Sequence, residues 1–168
     1  MSLISVEELR ELVAYNPVSG EVRWKVSRGS TAANNPAGAH SHKGYKKLRI
    51  NRRNYYTHRV AWALHTGKWP TKGIDHINGD PTDNRISNLR EADAAGNTCN
   101  QQPRTTNRSG AKGVSWHKQR GKWRAYIVTK GRQRSLGLFD DLKTASDAYD
   151  KAAIVEHGEF ASLNNMMG

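Results

Sequence analysis

Cysteine is almost missing from this chain. Cys99 stands alone among 168 residues, which excludes an intramolecular disulfide and any cysteine-rich zinc site and suits a reducing compartment. Long apolar runs are missing as well: no window approaches the ~20 consecutive apolar residues of a membrane span, so no membrane partner is expected. The opening segment MSLISVEELRELV carries acids and reads as a helix, not as a secretory signal, which points to the cytosol. Internal repeats and low-complexity tracts are absent. Acidic residues are scarce, 15 Asp and Glu against 27 Lys and Arg, giving a formal charge of +12. That imbalance selects polyanions as partners, and five Trp and six Tyr supply flat surfaces that could lie against bases or sugars.

At this length, with 36% hydrophobic residues, one ordinary domain or two small ones can form, each with a modest core. Ser5 followed by Glu8, with Leu9 and Leu12 beyond, has the pattern of a capping box opening an amphipathic helix that runs to about Tyr15. Val22, Trp24 and Val26 then alternate with polar residues as a strand would. The Gly, Ala, Asn and Ser-rich stretch Arg28 to Gly44 reads as a loop. After it, YKKLRINRRNYYTHRVAWALHTGKWP reads as two strands turning at Asn51 to Asn54, then a short helix stopped by Gly67 and Pro70. From Lys43 to Arg59 there are seven Lys and Arg and no acid. A phosphate-facing ribbon, with Arg49, Arg52 and Arg53 as the contacts, and a merely solvated hairpin both fit that run.

QQPRTTNRSGAKG, residues 101–113, is polar and lacks hydrophobic periodicity, so the linker is placed over residues 104–112, between domains at 1–103 and 113–168. The second domain offers GVSWHK, KWRAYIVTK and RSLGLFD as strands. Leu142, Ala145, Tyr149 and Ala152 follow at helical spacing, with Gly158 as a stop. The fold class expected is α+β. Arg104 to Arg134 holds ten Lys and Arg without an acid, while acids gather after Phe139, so the sheet and not the helix should face the polyanion. In KWRAYIV, Trp123, Ala125 and Ile127 alternate with Arg124, Tyr126 and Val128, which turns Arg124 and Tyr126 outward. Trp116 and Trp123 read as core.

The segment with chemistry in it is DHINGDPTDNRISNLR, residues 75–90. Hydrolysing a phosphodiester takes a base for water, a cation on the scissile phosphate and ligands to fix that cation. Asp75, His76 and a later oxygen ligand could supply these. Adjacent strand residues point to opposite faces, so the two can serve one site only where the strand ends or bends. The turn-rich INGDPTDN is such an exit. Asn97 comes 22 residues after Asp75, in a segment that could be a short helix capped by Asp93. Asn88 between them could pin the loop through its amide. Arg85 and Arg90 suit either phosphate contact or solvent.

This pattern of DH, NGD, DNR, NLR and a later N resembles the HNH endonuclease family, in its phage and intron-encoded branch. The resemblance implies a ββα-metal finger in which His76 is the general base, Asp75 and Asn97 bind the metal, and Asn88 stabilises the loop. It also implies a homing-type enzyme that nicks or cuts double-stranded DNA, acting as a monomer in the cytoplasm of a bacterial host and encoded by a phage or mobile element. With Asn97 and Gln101 where a sister branch has imidazoles, the ligands are oxygens, which favours Mg²⁺ or Mn²⁺ over Zn²⁺. Asn100 is assigned a supporting role, and His58 in YTHRVAW a packing role.

GVSWHKQRGKWRAYI, LGLFD, ASDAYDKAA and HGEFASLN resemble the APETALA2/ethylene-response-factor DNA-binding domain. The resemblance implies a three-stranded antiparallel sheet plus one helix, the sheet lying in the major groove, with Ser115, His117, Arg120, Arg124, Tyr126 and Ser135 on contact-bearing strands. Ser115 and Ser135 depart from the arginine and tryptophan of the plant domain, so its sequence preference does not carry over. Two rival readings are a DNA-binding regulator with an inactive nuclease module and an RNA-binding basic protein; the intact Asp75, His76, Asn88 and Asn97 set favours the enzyme.

Overall fold

Ser5 opens the first helix as the sequence pattern requires. Its hydroxyl accepts the Glu8 N–H while the Glu8 carboxylate accepts the Ser5 N–H, each at 3.1 Å, satisfying two orphan donors of helix α1 (Val6–Leu12). The helix stops at Leu12 instead of reaching Tyr15. Val13, β-branched and fully buried, turns extended there and starts strand β1 (Val13–Tyr15), which pairs antiparallel with β2 (Val22–Trp24). Ladder bonds and burial against Trp24 outweigh another helical turn.

The computed structural model describes residues 3–41, 44–93, 107–129 and 131–164. Its contacts divide the chain into two units, Met1–Asp93 and Ala94–Gly168. In the first, β3 (Ala39–His40), β4 (Lys46–Ile50) and β5 (Arg53–Tyr56) form an antiparallel sheet in that order. Strand β3 falls inside the stretch expected to be all loop. Its residues carry no hydrophobic pattern, and only pairing with Lys46 and Lys47 defines it. Ile50 pairs with Arg53, so the turn is the two-residue Asn51–Arg52, tighter than the pattern suggested. Both residues are left-handed, φ 48° and 64°, which matches the twist of the flanking strands.

Helix α2 (Thr57–Thr66) follows and ends as expected at Gly67, left-handed at φ 79°, whose N–H bonds the Ala63 carbonyl. Its Arg59 reaches across to the Lys72 and Pro70 carbonyls at 2.9 and 3.0 Å, anchoring the approach to β6 (Gly73–His76). Strand β6 pairs antiparallel with β7 (Leu89–Ala92). The core beneath joins Leu9, Val13, Val22, Leu48, Ile50, Val60, Ile74 and Leu89, so α1, both small sheets, α2 and the β6–β7 hairpin share one apolar interior.

In the second unit β8 (Val114–His117), β9 (Lys122–Thr129) and β10 (Arg132–Phe139) form an antiparallel sheet in the order β10-β9-β8. Helix α3 (Leu142–His157) is capped by Asp141, whose carboxylate accepts the Thr144 N–H. Ala125 and Ile127 are buried with Ala145, Tyr149 and Ala153 of α3, which is the alternation read from KWRAYIV. Gly113 is fixed by contact: at φ 69°, a Cβ on it would sit 2.1 Å from the Tyr149 ring. One expectation fails. Trp123 packs on the core, but Trp116 is 51% exposed and meets Trp123 edge-on at 5.1 Å; it shares the face of buried Val114 but lies one position from the end of β8, opposite Trp123. Among the described residues no helix is long and apolar enough to cross a membrane.

Candidate functional site

Asp75 and His76 are the last two residues of β6 and both are 5% exposed. As strand neighbours they point apart. Across the hairpin Asp75 lies opposite Arg90, and the Arg90 Nε and Nη2 donate to Asp75 Oδ2 at 2.9 and 2.8 Å. His76 points into a second cluster, where its Nε2 meets Asn84 Oδ1 at 3.0 Å. The His58 ring stands edge-on to it at 5.2 Å and 90°, and Tyr45 lies 6.0 Å away. Tyr56 stacks on His58 at 5.3 Å. His58 has the packing role assigned to it, and burial, then the neighbouring His76 and Arg59, push its imidazole down to about 3.

The loop between the strands is tied by Asn88. Its amide nitrogen donates to the Asp83 carbonyl at 2.8 Å and to Asn78 Oδ1 at 3.0 Å, and its Oδ1 accepts the Asn78 N–H at 2.9 Å. Asn78 in turn donates to Asp83. Arg85 grips Asp83 through Nε and Nη2 at 2.8 and 2.6 Å with its side chain still half exposed, and these bonds hold the Asp83 carboxyl down at about 2.

A turn far back in the chain braces this loop from behind. The Tyr15 hydroxyl donates to the Asn84 carbonyl at 2.8 Å, and Ile86 N–H donates to the Pro17 carbonyl at 3.1 Å. Burial and then the Asp83 charge push the Tyr15 phenol up to about 12. Gly20, at φ 76°, lies so close that a Cβ would come within 2.5 Å of the Arg85 nitrogen, and only glycine fits there.

The HNH endonuclease family profile matches residues 55–98, which contain this hairpin. Protein 3.8 of Escherichia phage T7 is 36% identical over 106 residues, covering 62% of this chain and 86% of that protein. The chain belongs to the HNH endonuclease family. A structure described as DNA binding and cleavage by the HNH homing endonuclease I-HmuI aligns over 94% of this chain and 91% of its own, with 19% identity and a TM-score of 0.43. The AP2-like ethylene-responsive transcription factor TOE2 of Arabidopsis thaliana is 37% identical over 57 residues. APETALA2-like protein 2 of Oryza sativa is 40% identical over 53. This chain spans 12% of each of those two plant proteins.

Of the HNH residues named from the sequence, the structure brings Asp75, His76 and Asn88 onto one hairpin; Asn97 lies outside the described residues, as do Asn100 and Gln101. Among the described residues no three His, Cys, Asp or Glu side chains gather as a metal site. A carboxylate with amide oxygens is nonetheless a donor set that suits a hard cation. On the basic ribbon, Arg49 and Arg52 are exposed, and Arg53 is exposed with its guanidinium 5.7 Å from the Tyr55 ring. In the second unit, the Arg124 guanidinium lies 5.5 Å over Tyr126 and donates to Ser115 at 3.4 Å. Arg120 and Ser135 are exposed, and His117 is half-buried. Asn84 and Tyr45 carried no signal of their own in the sequence, and Arg90, open there to phosphate or solvent, bonds Asp75 instead. DNR stood only as one piece of the family pattern, and the facing of Arg90 to Asp75 depends on a register no local pattern displays.

Proposed function

We propose that the protein is a divalent-metal-dependent DNA endonuclease that hydrolyses phosphodiester bonds at the β6–β7 hairpin. The observation that carries this reading is the burial of Asp75 and His76 side by side at the end of β6, within the HNH-matched segment. Asp75 and Asn97 would hold Mg²⁺ or Mn²⁺, which when bound neutralises charge on the scissile phosphate. His76 takes the proton from the attacking water on an imidazole nitrogen. Asn88 keeps the loop that follows His76 in one conformation, and Arg90 holds the Asp75 carboxylate in place.

The acid-free sheet of the second unit supplies the DNA grip, with Arg120, Arg124, Tyr126, Ser115, His117 and Ser135 toward the duplex. A sheet of this kind can enter the major groove. Similarity to the AP2-like proteins over about a third of the chain supports that assignment. Arg49, Arg52 and Arg53 add phosphate contacts, while Arg85 is committed to Asp83. The protein acts as a monomer in the cytoplasm of a phage-infected bacterium, a setting that similarity to phage T7 Protein 3.8 supports.

The test is incubation of purified protein with supercoiled plasmid in Mg²⁺, in Mn²⁺ and with chelator. Nicked or linear product that needs the metal is expected. Tight DNA binding without strand cleavage in any metal would instead make the protein a DNA-binding regulator.

A further inference from the structure

We infer that Asn84 is a positioning residue that fixes His76 as the Nε2–H tautomer, leaving Nδ1 as the basic nitrogen of the ring. The inference rests on His76 being the proton acceptor. The two ring nitrogens of a neutral imidazole are not equivalent: one carries the proton and the other the lone pair, and the hydrogen bond made by one decides the role of the other. Here Nε2 faces Asn84 Oδ1 at 3.0 Å with both residues buried. A carbonyl oxygen has no proton to give, so the ring must donate.

What makes this a device and not a chance contact is how Asn84 is held. Its amide nitrogen is turned to the Thr82 carbonyl at 3.5 Å, which leaves the oxygen toward His76. Its backbone carbonyl is taken by the Tyr15 hydroxyl at 2.8 Å. Behind it, Gly20 packs against the Asn84–Arg85 peptide closely enough to exclude a methyl group. The imidazole is confined as well, by His58 edge-on at 5.2 Å and Tyr45 at 6.0 Å. These rings hold the imidazole in place, and the acceptor at Nε2 selects its tautomer. An opposite tautomer would set the Nε2 lone pair against the Asn84 oxygen and put a proton on Nδ1, where it could not accept one from water.

The experiment uses full-length protein with nitrogen-15 histidine, with the His76 resonances assigned by their loss in His76→Ala. Long-range nitrogen–proton correlations should show Nε2 protonated in the wild type. Asn84→Asp keeps an acceptor of the same shape, so the tautomer and most of the cleavage rate should persist. Asn84→Leu removes the acceptor; the tautomer signature should become mixed, and kcat should fall by about 100-fold while KM for DNA stays within about twofold. A wild-type His76 protonated on Nδ1 overturns the inference even if neither variant folds. So does an Asn84→Leu protein with wild-type tautomer and kcat. Full cleavage by His76→Ala, with Nε2–H intact in the wild type, would overturn the reading of His76 as the base instead.

Discussion

Arg90 engages a single oxygen of Asp75 twice, Nε and Nη2 both donating to Oδ2 at 2.9 and 2.8 Å across the paired strands. Their side chains are 13% and 6% exposed. A buried pair of this kind is costly to break from one side, because the remaining charge has left water without its partner. Arg90→Met should therefore destabilise the protein by about 3 kcal/mol, read as a lower urea midpoint at unchanged slope. Arg90→Lys should recover only part of that loss, since an ammonium cannot make the two-pronged contact. A midpoint unmoved in Arg90→Met would remove this pair from the account of how Asp75 is held.

His76→Ala should abolish strand cleavage while leaving DNA affinity nearly unchanged. A general base acts on the transition state and adds little to ground-state binding; its loss lowers rates by roughly 10²- to 10⁴-fold. Plasmid nicking and a fluorescence-anisotropy titration check the two halves separately. Equal losses in both would mean that His76 serves binding.

Asn88→Ala should loosen the loop from Asn78 to Asp83, because three hydrogen bonds of a buried amide disappear at once. A cost of about 2 kcal/mol is expected, together with faster amide exchange at Asn78. Exchange that stays slow would show that the Arg85 grip on Asp83 holds the loop unaided.

Stability should fall as pH drops from about 6.5 toward 3. Burial holds His58 neutral, and its folded value of about 3 lies below the ordinary 6.5. The unfolded chain binds a proton in that window that the folded chain refuses, so stability is full above 6.5 and is lost on acidification. The groups facing His58 are His76, Tyr45 and Tyr56, with Arg59 next in the helix. His58→Phe should flatten the dependence of the urea midpoint on pH between 7 and 4.5. An identical slope in wild type and variant would assign the acid sensitivity elsewhere.

A fragment ending at Pro103 should cut DNA weakly and with little site preference. If the removed sheet neutralises about five phosphates, the slope of log affinity against log salt should become shallower by roughly 4 to 5 units. Arg124→Ala in the full chain should weaken specific binding by ~1 to 3 kcal/mol if it reads a base, and all sequences equally if it touches only phosphate. A fragment that keeps full affinity, salt slope and site choice would transfer recognition to the Lys43 to Arg59 ribbon.

What the sequence displayed was local. The Ser5–Glu8 box, the Gly67 stop and the Trp123–Ala125–Ile127 alternation each depend on residues a few positions apart, and each appears where the pattern places it. The α1 boundary shifted because Val13 is claimed by Trp24, eleven residues on in the chain. The site follows the same rule. Asp75, His76 and Asn88 were visible through their motif, but the pairing with Arg90 needs the register of a long-looped hairpin, and the brace on Asn84 needs Tyr15, far back in sequence. The Asp93-capped segment bearing Asn97 lies outside the described residues.

Gly20 and Tyr15 stand well before residue 55, where the family match begins, yet they form the wall behind Asn84. The matched segment is thus not a cassette that could be lifted into another scaffold with its geometry intact. A graft of residues 55–98 would carry the reactive side chains and leave their backing behind. In the chain's descent, the turn at Asn16–Gly20 and the loop at Asn84–Arg85 must change in step: lengthening either, or placing any side chain at position 20, disturbs the other. Portability here has a minimum size, set by where the wall is built and not by where the motif is written.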